Sequence, residues 1–140
     1  MNLTKNFTLD EFIESRFYNE EAQENVWASY DADADTLDPN LQRLAENLQV
    51  LRDNLGRSVI INIAYRPVWW EHQQGRSGTS QHCLGKASDI VVSGMTPDEV
   101  ADAIEKLIDE DKMEQGGLGR YNTFTHFDVR GYAARWDERT

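Results

Sequence analysis

The stretch from Asp38 to Pro67 constrains the fold most, because a helix pattern passes there directly into a strand pattern. Leu41, Leu44, Leu48 and Leu51 recur at intervals of three and four, the spacing of one helix face. Asp38 followed by Pro39 reads as an N-cap with proline at the first helical position, and Gly56 as the stop. Ser58 to Tyr65, SVIINIAY, is then a β-branched run without strict alternation, which predicts a strand buried on both faces. A chain built this way must lay a helix on a sheet, and 140 residues suffice for one compact domain with a core.

The other segments fit that frame. Thr8 with Glu11 forms a capping box for a short helix whose apolar residues are Phe12 and Ile13. Asn19 to Thr36 carries little signal, and the DADAD run at Asp31 to Asp35 reads as a solvated loop lacking the glycine and distal glutamate of a calcium loop. Val68 to Gly85 reads as loop with one helical turn around Trp69 to Gln73. Ala87 to Ser93 predicts a second strand. Thr96, Pro97 and Glu99 open a helix striped by Val100, Ala103, Ile104, Leu107 and Ile108 and running to about Asp111. Gly116, Gly117 and Gly119 break the chain before a last strand within Thr125 to Gly131. The expectation is a single α+β domain over residues 1–140, with a mainly antiparallel sheet carrying helices on one side.

A formal charge of −11 argues against phosphate-backbone binding, so nucleic acid is not the expected partner. One cysteine, Cys83, excludes an intrachain disulfide. The opening MNLTKNFTLD has no signal-peptide pattern and no stretch approaches a membrane span, so the expectation is a protein made in the cytoplasm without a leader, off the membrane, and monomeric.

Catalytic zinc takes three ligands from His, Asp or Glu and keeps one position open. Of the three histidines, His82 precedes the second strand and His126 lies in the last one, where the period of two puts Asp128 on its face. Asp89 sits between apolar residues of the second strand, where a carboxylate needs a compensating cation. Spacing alone is equally consistent with a structural His126–Asp128 pair and a turn-capping His82.

SQHCLGKASDI, Ser80 to Ile90, resembles the Ser-x-His-x6-Asp signature of the zinc D-alanyl-D-alanine carboxypeptidase family, which also includes phage L-alanyl-D-glutamate endopeptidases. IAYRP, Ile63 to Pro67, resembles that family's strand ending in Tyr-Arg. GGLGRYNTFTHFDVRG, Gly116 to Gly131, is similar to the closing element of a small phage and bacterial branch, and NFTLDEF to its opening. The resemblance implies one zinc per chain held by His82, Asp89 and His126 at a cleft on the sheet edge. It also implies Arg66 on a substrate carboxylate or carbonyl, Ser80 lining the cleft, and peptidoglycan stem peptides as substrate, reached after release from the cell or as part of a phage.

The sequence departs from the better known members at one point. Their acidic base stands three residues before the last histidine, where this chain has Thr123. Asp128 is then the nearest acid for proton transfer, with Arg66 as its partner at the reacting group. Two other readings stay open: a zinc-stabilised binding or structural module without activity, such as a phage particle component, and a cytosolic dipeptidase acting on D-alanyl-D-alanine. Trp69 and Trp70 are candidates to stack on substrate, although aromatic residues more often pack. His72 reads as a surface residue, Cys83 as a small buried one, and Arg130, Arg135 and Trp136 as ties for the C-terminal end.

Overall fold

The computed structural model describes residues 1–140. Helix α1 spans Leu9–Ile13, and its capping box forms as expected, with the Glu11 carboxylate accepting from the Thr8 backbone N–H at 2.9 Å. Helix α2, Glu20–Leu55, is far longer than its sequence signal. It opens at Asn19, whose side chain accepts from the Ala22 N–H at 2.8 Å, and ends at Gly56 in the left-handed conformation that glycine adopts without penalty.

The DADAD segment is therefore helix, not loop, with one break at Asp33 (φ −115°, ψ 15°). Pro39 lies inside the helix rather than at its first position. Tertiary packing overrides the local signal here. Val26, Tyr30 and Leu37 are buried on one face, Trp27 meets Tyr30 edge to face at 5.8 Å, and the Tyr30 hydroxyl donates to Asp38. The aspartates 31, 33 and 35 stay exposed on the other face. Downstream, Leu41, Leu44, Leu48 and Leu51 are fully buried as their spacing predicts, each contributing roughly 1.5–3 kcal/mol of hydrophobic stabilisation.

Five strands form one sheet in the order β1-β2-β4-β3-β5: Val59–Ile63, Ala87–Val92, Thr125–Asp128, Gly117–Arg120 and Ala134–Asp137, respectively. The pairs β1–β2, β2–β4 and β3–β4 are antiparallel, and β3–β5 is parallel. Strand β1 is an edge strand with Ile60 52% exposed, so the expectation of burial on both faces fails there. The two expected inner strands are joined by β3 and β5, which sequence reading did not find.

Helix α3 covers Val68–Gln73, a 3-10 turn covers Gln81–Leu84, and α4 covers Pro97–Asp109. Ile90, Val92, Leu118, Phe127 and Val129 point to the helix-covered side of the sheet and share one core cluster with α2 and α4 residues. On that side Thr125 donates to the Pro97 carbonyl at 2.8 Å and Arg120 pairs with Asp98 and Asp102 of α4. The alternating residues Asp89, His126 and Asp128 therefore face away from the helix layer. No helix is long and apolar enough to cross a membrane.

Candidate metal centre

The register across the sheet sets one row of residues side by side: Asp89 opposite His126, His126 opposite Gly119, and Gly119 opposite Trp136. The site thus stands over the interior strands β2 and β4, not at the sheet edge. Interior strands are pinned by ladders on both sides, which holds Asp89 and His126 more rigidly than an edge could. His82 reaches the row from the 3-10 turn, whose start is capped by Ser80 Oγ accepting from the His82 N–H at 3.0 Å.

Partner chemistry fixes the His82 tautomer and sets a carboxylate oxygen at each nitrogen of His126. His82 Nδ1 lies 2.7 Å from the Ala64 carbonyl, which only accepts, so Nδ1 carries the proton and Nε2 is left with its lone pair. That Nε2 is 3.4 Å from Asp89 Oδ1. His126 Nε2 lies 2.7 Å from Asp128 Oδ2, and its Nδ1 lies 3.1 Å from the same Asp89 Oδ1. The three side chains offer donor atoms all within 4.8 Å of one another. Ligands bound tetrahedrally at about 2.0–2.1 Å stand about 3.3 Å apart, so these separations suit one such ion.

The electrostatics agree. Burial pushes His82 towards its neutral form, which is the ligating form. Burial also works to lower His126, but its bonds to Asp128 and Asp89 outweigh that and raise it above the ordinary imidazole value. Burial raises the Asp89 carboxyl, yet the two histidines outweigh it and hold Asp89 well below the usual carboxylate range.

Asp128, expected to move a proton in the cleft, is wholly buried with both oxygens engaged. Its Oδ1 accepts from the N–H of Gly117 at 2.9 Å, the N–H of Arg130 at 3.1 Å and Arg130 Nε at 2.8 Å. Its Oδ2 accepts from Arg130 Nη2 and faces His126 Nε2, both at 2.7 Å. So engaged, the Asp128 carboxylate holds the His126 imidazole in one orientation. The glycines make it possible: a Cβ on Gly117 would stand 2.2 Å from Asp128 Oδ2, and one on Gly119 2.3 Å from Trp136 Nε1. What the sequence presents as a chain break is β3, whose face towards the row is kept free of side chains by Gly117 and Gly119 so that Asp128 and Trp136 fit over it.

A cleft of about 330 Å³ opens above the row, lined by Arg66, Arg76, Ser80, Gln81, His82, Asp89, Tyr121, Phe124, His126 and Trp136. Arg66 and Ser80, expected to meet the substrate, are both among the cleft's lining residues. Arg66 Nε is buried without a hydrogen-bond partner, 3.8 Å from Glu71. Glu71, missed in the sequence, is fully buried beneath the arginines and takes a 2.8 Å bond from Arg76. Trp69 and Trp70 do not line the cleft. Trp69 Nε1 donates to Ser29 at 2.7 Å, and Trp70 packs edge to face on Tyr18 at 5.4 Å, because α3 turns both towards α2 and its neighbours. The cleft aromatics are Tyr121, Phe124 and Trp136, of which Trp136 sits 4.8 Å from the His126 ring. Thr123 is exposed in the β3–β4 turn, and His72 is exposed and bonded to the Ser77 carbonyl at 3.2 Å, away from the row.

Residues 5–128 match the family model described as Peptidase M15, and the chain belongs to that family. No curated protein gives a significant match to the chain.

Proposed function

We propose that this member of the peptidase M15 family is a zinc-dependent hydrolase that cuts an amide bond in peptidoglycan stem peptides or their cross-links. The observation that carries the reading is the convergence of His82 Nε2, Asp89 Oδ1 and His126 Nδ1 beneath a cleft walled by Arg66. One zinc per chain, held by those three residues, would supply Lewis acidity and an activated water.

The chain's own groups do the rest. Ala64 and Asp128 fix the two imidazoles so that their lone pairs point to one place. Arg66 and Arg76 make one wall cationic in a protein of net charge −11, which favours a substrate carrying a carboxylate near the scissile bond. Glu71 holds both arginines from behind. Stem peptides meet this requirement with D-amino acids bearing free carboxylates.

A second reading keeps one supporting observation: Asp89 is the sole carboxylate among the cleft's lining residues, as suits a metal-stabilised module that does not turn over. Mass spectrometry of purified muropeptides incubated with zinc-loaded and chelated protein separates the two. A zinc-dependent mass gain of one water with a defined cleavage point supports the hydrolase. Unchanged muropeptides together with a zinc-dependent rise in melting temperature support the module, and cleavage confined to free D-alanyl-D-alanine would make the enzyme a dipeptidase.

A further inference from the structure

The site uses Arg66 on the β1 side of the row, and the β3–β5 side carries a hydroxyl with no role assigned so far. Tyr121 follows β3, stacks on Phe124 with ring centroids 4.2 Å apart and planes 16° apart, and lines the cleft. Its hydroxyl oxygen accepts a 2.9 Å hydrogen bond from Trp136 Nε1. The oxygen is therefore an acceptor towards the protein, and its own proton has no protein acceptor.

Trp136 is itself clamped. The missing side chain at Gly119 makes room for its indole, the Arg130 guanidinium lies 5.3 Å from its ring, and its other neighbour is the His126 ring. The Tyr121 hydroxyl is thus held one indole away from His126 by two fixed rings, with its free proton available to the cleft. An N–H donated into a hydroxyl strengthens the hydrogen bond which that hydroxyl donates. Ser80, the other hydroxyl lining the cleft, lies with Arg76 in the segment after α3, and its Oγ caps the 3-10 turn.

We propose that Tyr121 is a catalytic residue that donates its hydroxyl hydrogen bond to the scissile carbonyl oxygen as negative charge develops on it, with Trp136 fixing the hydroxyl's direction. The inference rests on the peptidase reading and adds a neutral donor facing Arg66 across the cleft. A donor placed where charge appears acts more strongly on the transition state than on the bound amide.

The test uses the full zinc-loaded protein and Tyr121→Phe, which keeps the ring and its stacking. Two quantities are read: steady-state kinetics on the muropeptide the native protein cleaves, and calorimetric binding of a stem-peptide phosphinate whose tetrahedral anion mimics the developing charge. Tyr121→Phe is expected to keep zinc content and melting temperature, to lose about a hundredfold in kcat with KM within about twofold, and to bind the phosphinate at least about tenfold more weakly. Trp136→Phe should give a smaller kcat loss, since the hydroxyl remains but is no longer aimed. Native kcat in Tyr121→Phe, or equal weakening for the phosphinate and an uncleaved amide analogue, overturns the role of Tyr121 and leaves the peptidase reading standing. If the native protein neither cleaves muropeptides nor binds the phosphinate, both readings fall.

Discussion

Replacing Asp128 by Asn separates an orienting carboxylate from a proton carrier, and the hydrogen bonds set the size of the effect. Asn keeps the oxygen that accepts from Gly117 and Arg130 but puts an NH2 group where Oδ2 met Arg130 Nη2 and His126 Nε2. The charge-assisted bond from Arg130 is lost, at about 1.5–3 kcal/mol, and the one to His126 is exchanged for a neutral one, at about 1.5 kcal/mol. Because Arg130 retains 18% side-chain exposure and can recover some hydration, the lower end applies, about 3 kcal/mol in all. With an unfolding entropy of about 2.1 cal/mol/K per residue over 140 residues, that is a fall of about 10 °C in Tm. The amide also prefers a proton on His126 Nδ1, the atom facing His82 and Asp89, since it can donate to Nε2. Zinc affinity should therefore drop by about 10–100-fold. Calorimetric melting of the metal-free variant and competition for zinc against a chromophoric chelator measure the two effects. Native zinc affinity and native Tm with turnover reduced by about a hundredfold would refute the orienting role and restore Asp128 as the base.

Arg66→Lys should keep its zinc and its melting temperature but lose at least about tenfold in kcat/KM, because an ammonium cannot match the planar two-point grip of guanidinium. Gly119→Ala should destabilise the protein by about 1–3 kcal/mol in urea unfolding and shift tryptophan emission, since its Cβ would stand 2.3 Å from the Trp136 indole; native stability would show that β5 is loosely held. Burial raises the Glu71 carboxyl, but the bond from Arg76 and the charge of Arg66 outweigh it and hold it below its ordinary value. Its folded pKa being depressed, its stabilisation is complete above the unfolded value of about 4.3 and is lost as pH falls through the folded one. Metal-free Glu71→Gln should therefore lose stability less steeply than the native protein below about pH 4.5, and parallel acid-unfolding curves would remove Glu71 from that account.

The helix face of Leu41 to Leu51, the capping boxes at Thr8 and Thr96 and the inner strands around Asp89 and His126 are legible in the sequence because local periodicity and hydrogen-bonding chemistry decide them. The three clustered side chains are implied by the resemblance of Ser80 to Ile90 and Gly116 to Gly131, spacing alone leaving a structural pair equally open. What local pattern could not settle is whatever depends on a partner distant in sequence. The acidic run at Asp31 to Asp35 is helical because Tyr30 and Leu37 on its flanks are buried, and the glycines before Arg120 form a strand because Asp128 and Trp136 must fit over them. Asp128 shares the face of His126 by the period of two, which the sequence does determine. Its environment depends on Gly117 and Arg130 closing around it, and Trp69 and Trp70 stay out of the cleft lining because they pack on Ser29 of α2 and on Tyr18. Tyr121 and Trp136 become neighbours only because β5 pairs in parallel with β3, a pairing between segments separated by the whole of β4. Spacing along the chain selects which side chains share a face; the order of strands in the sheet selects what that face meets.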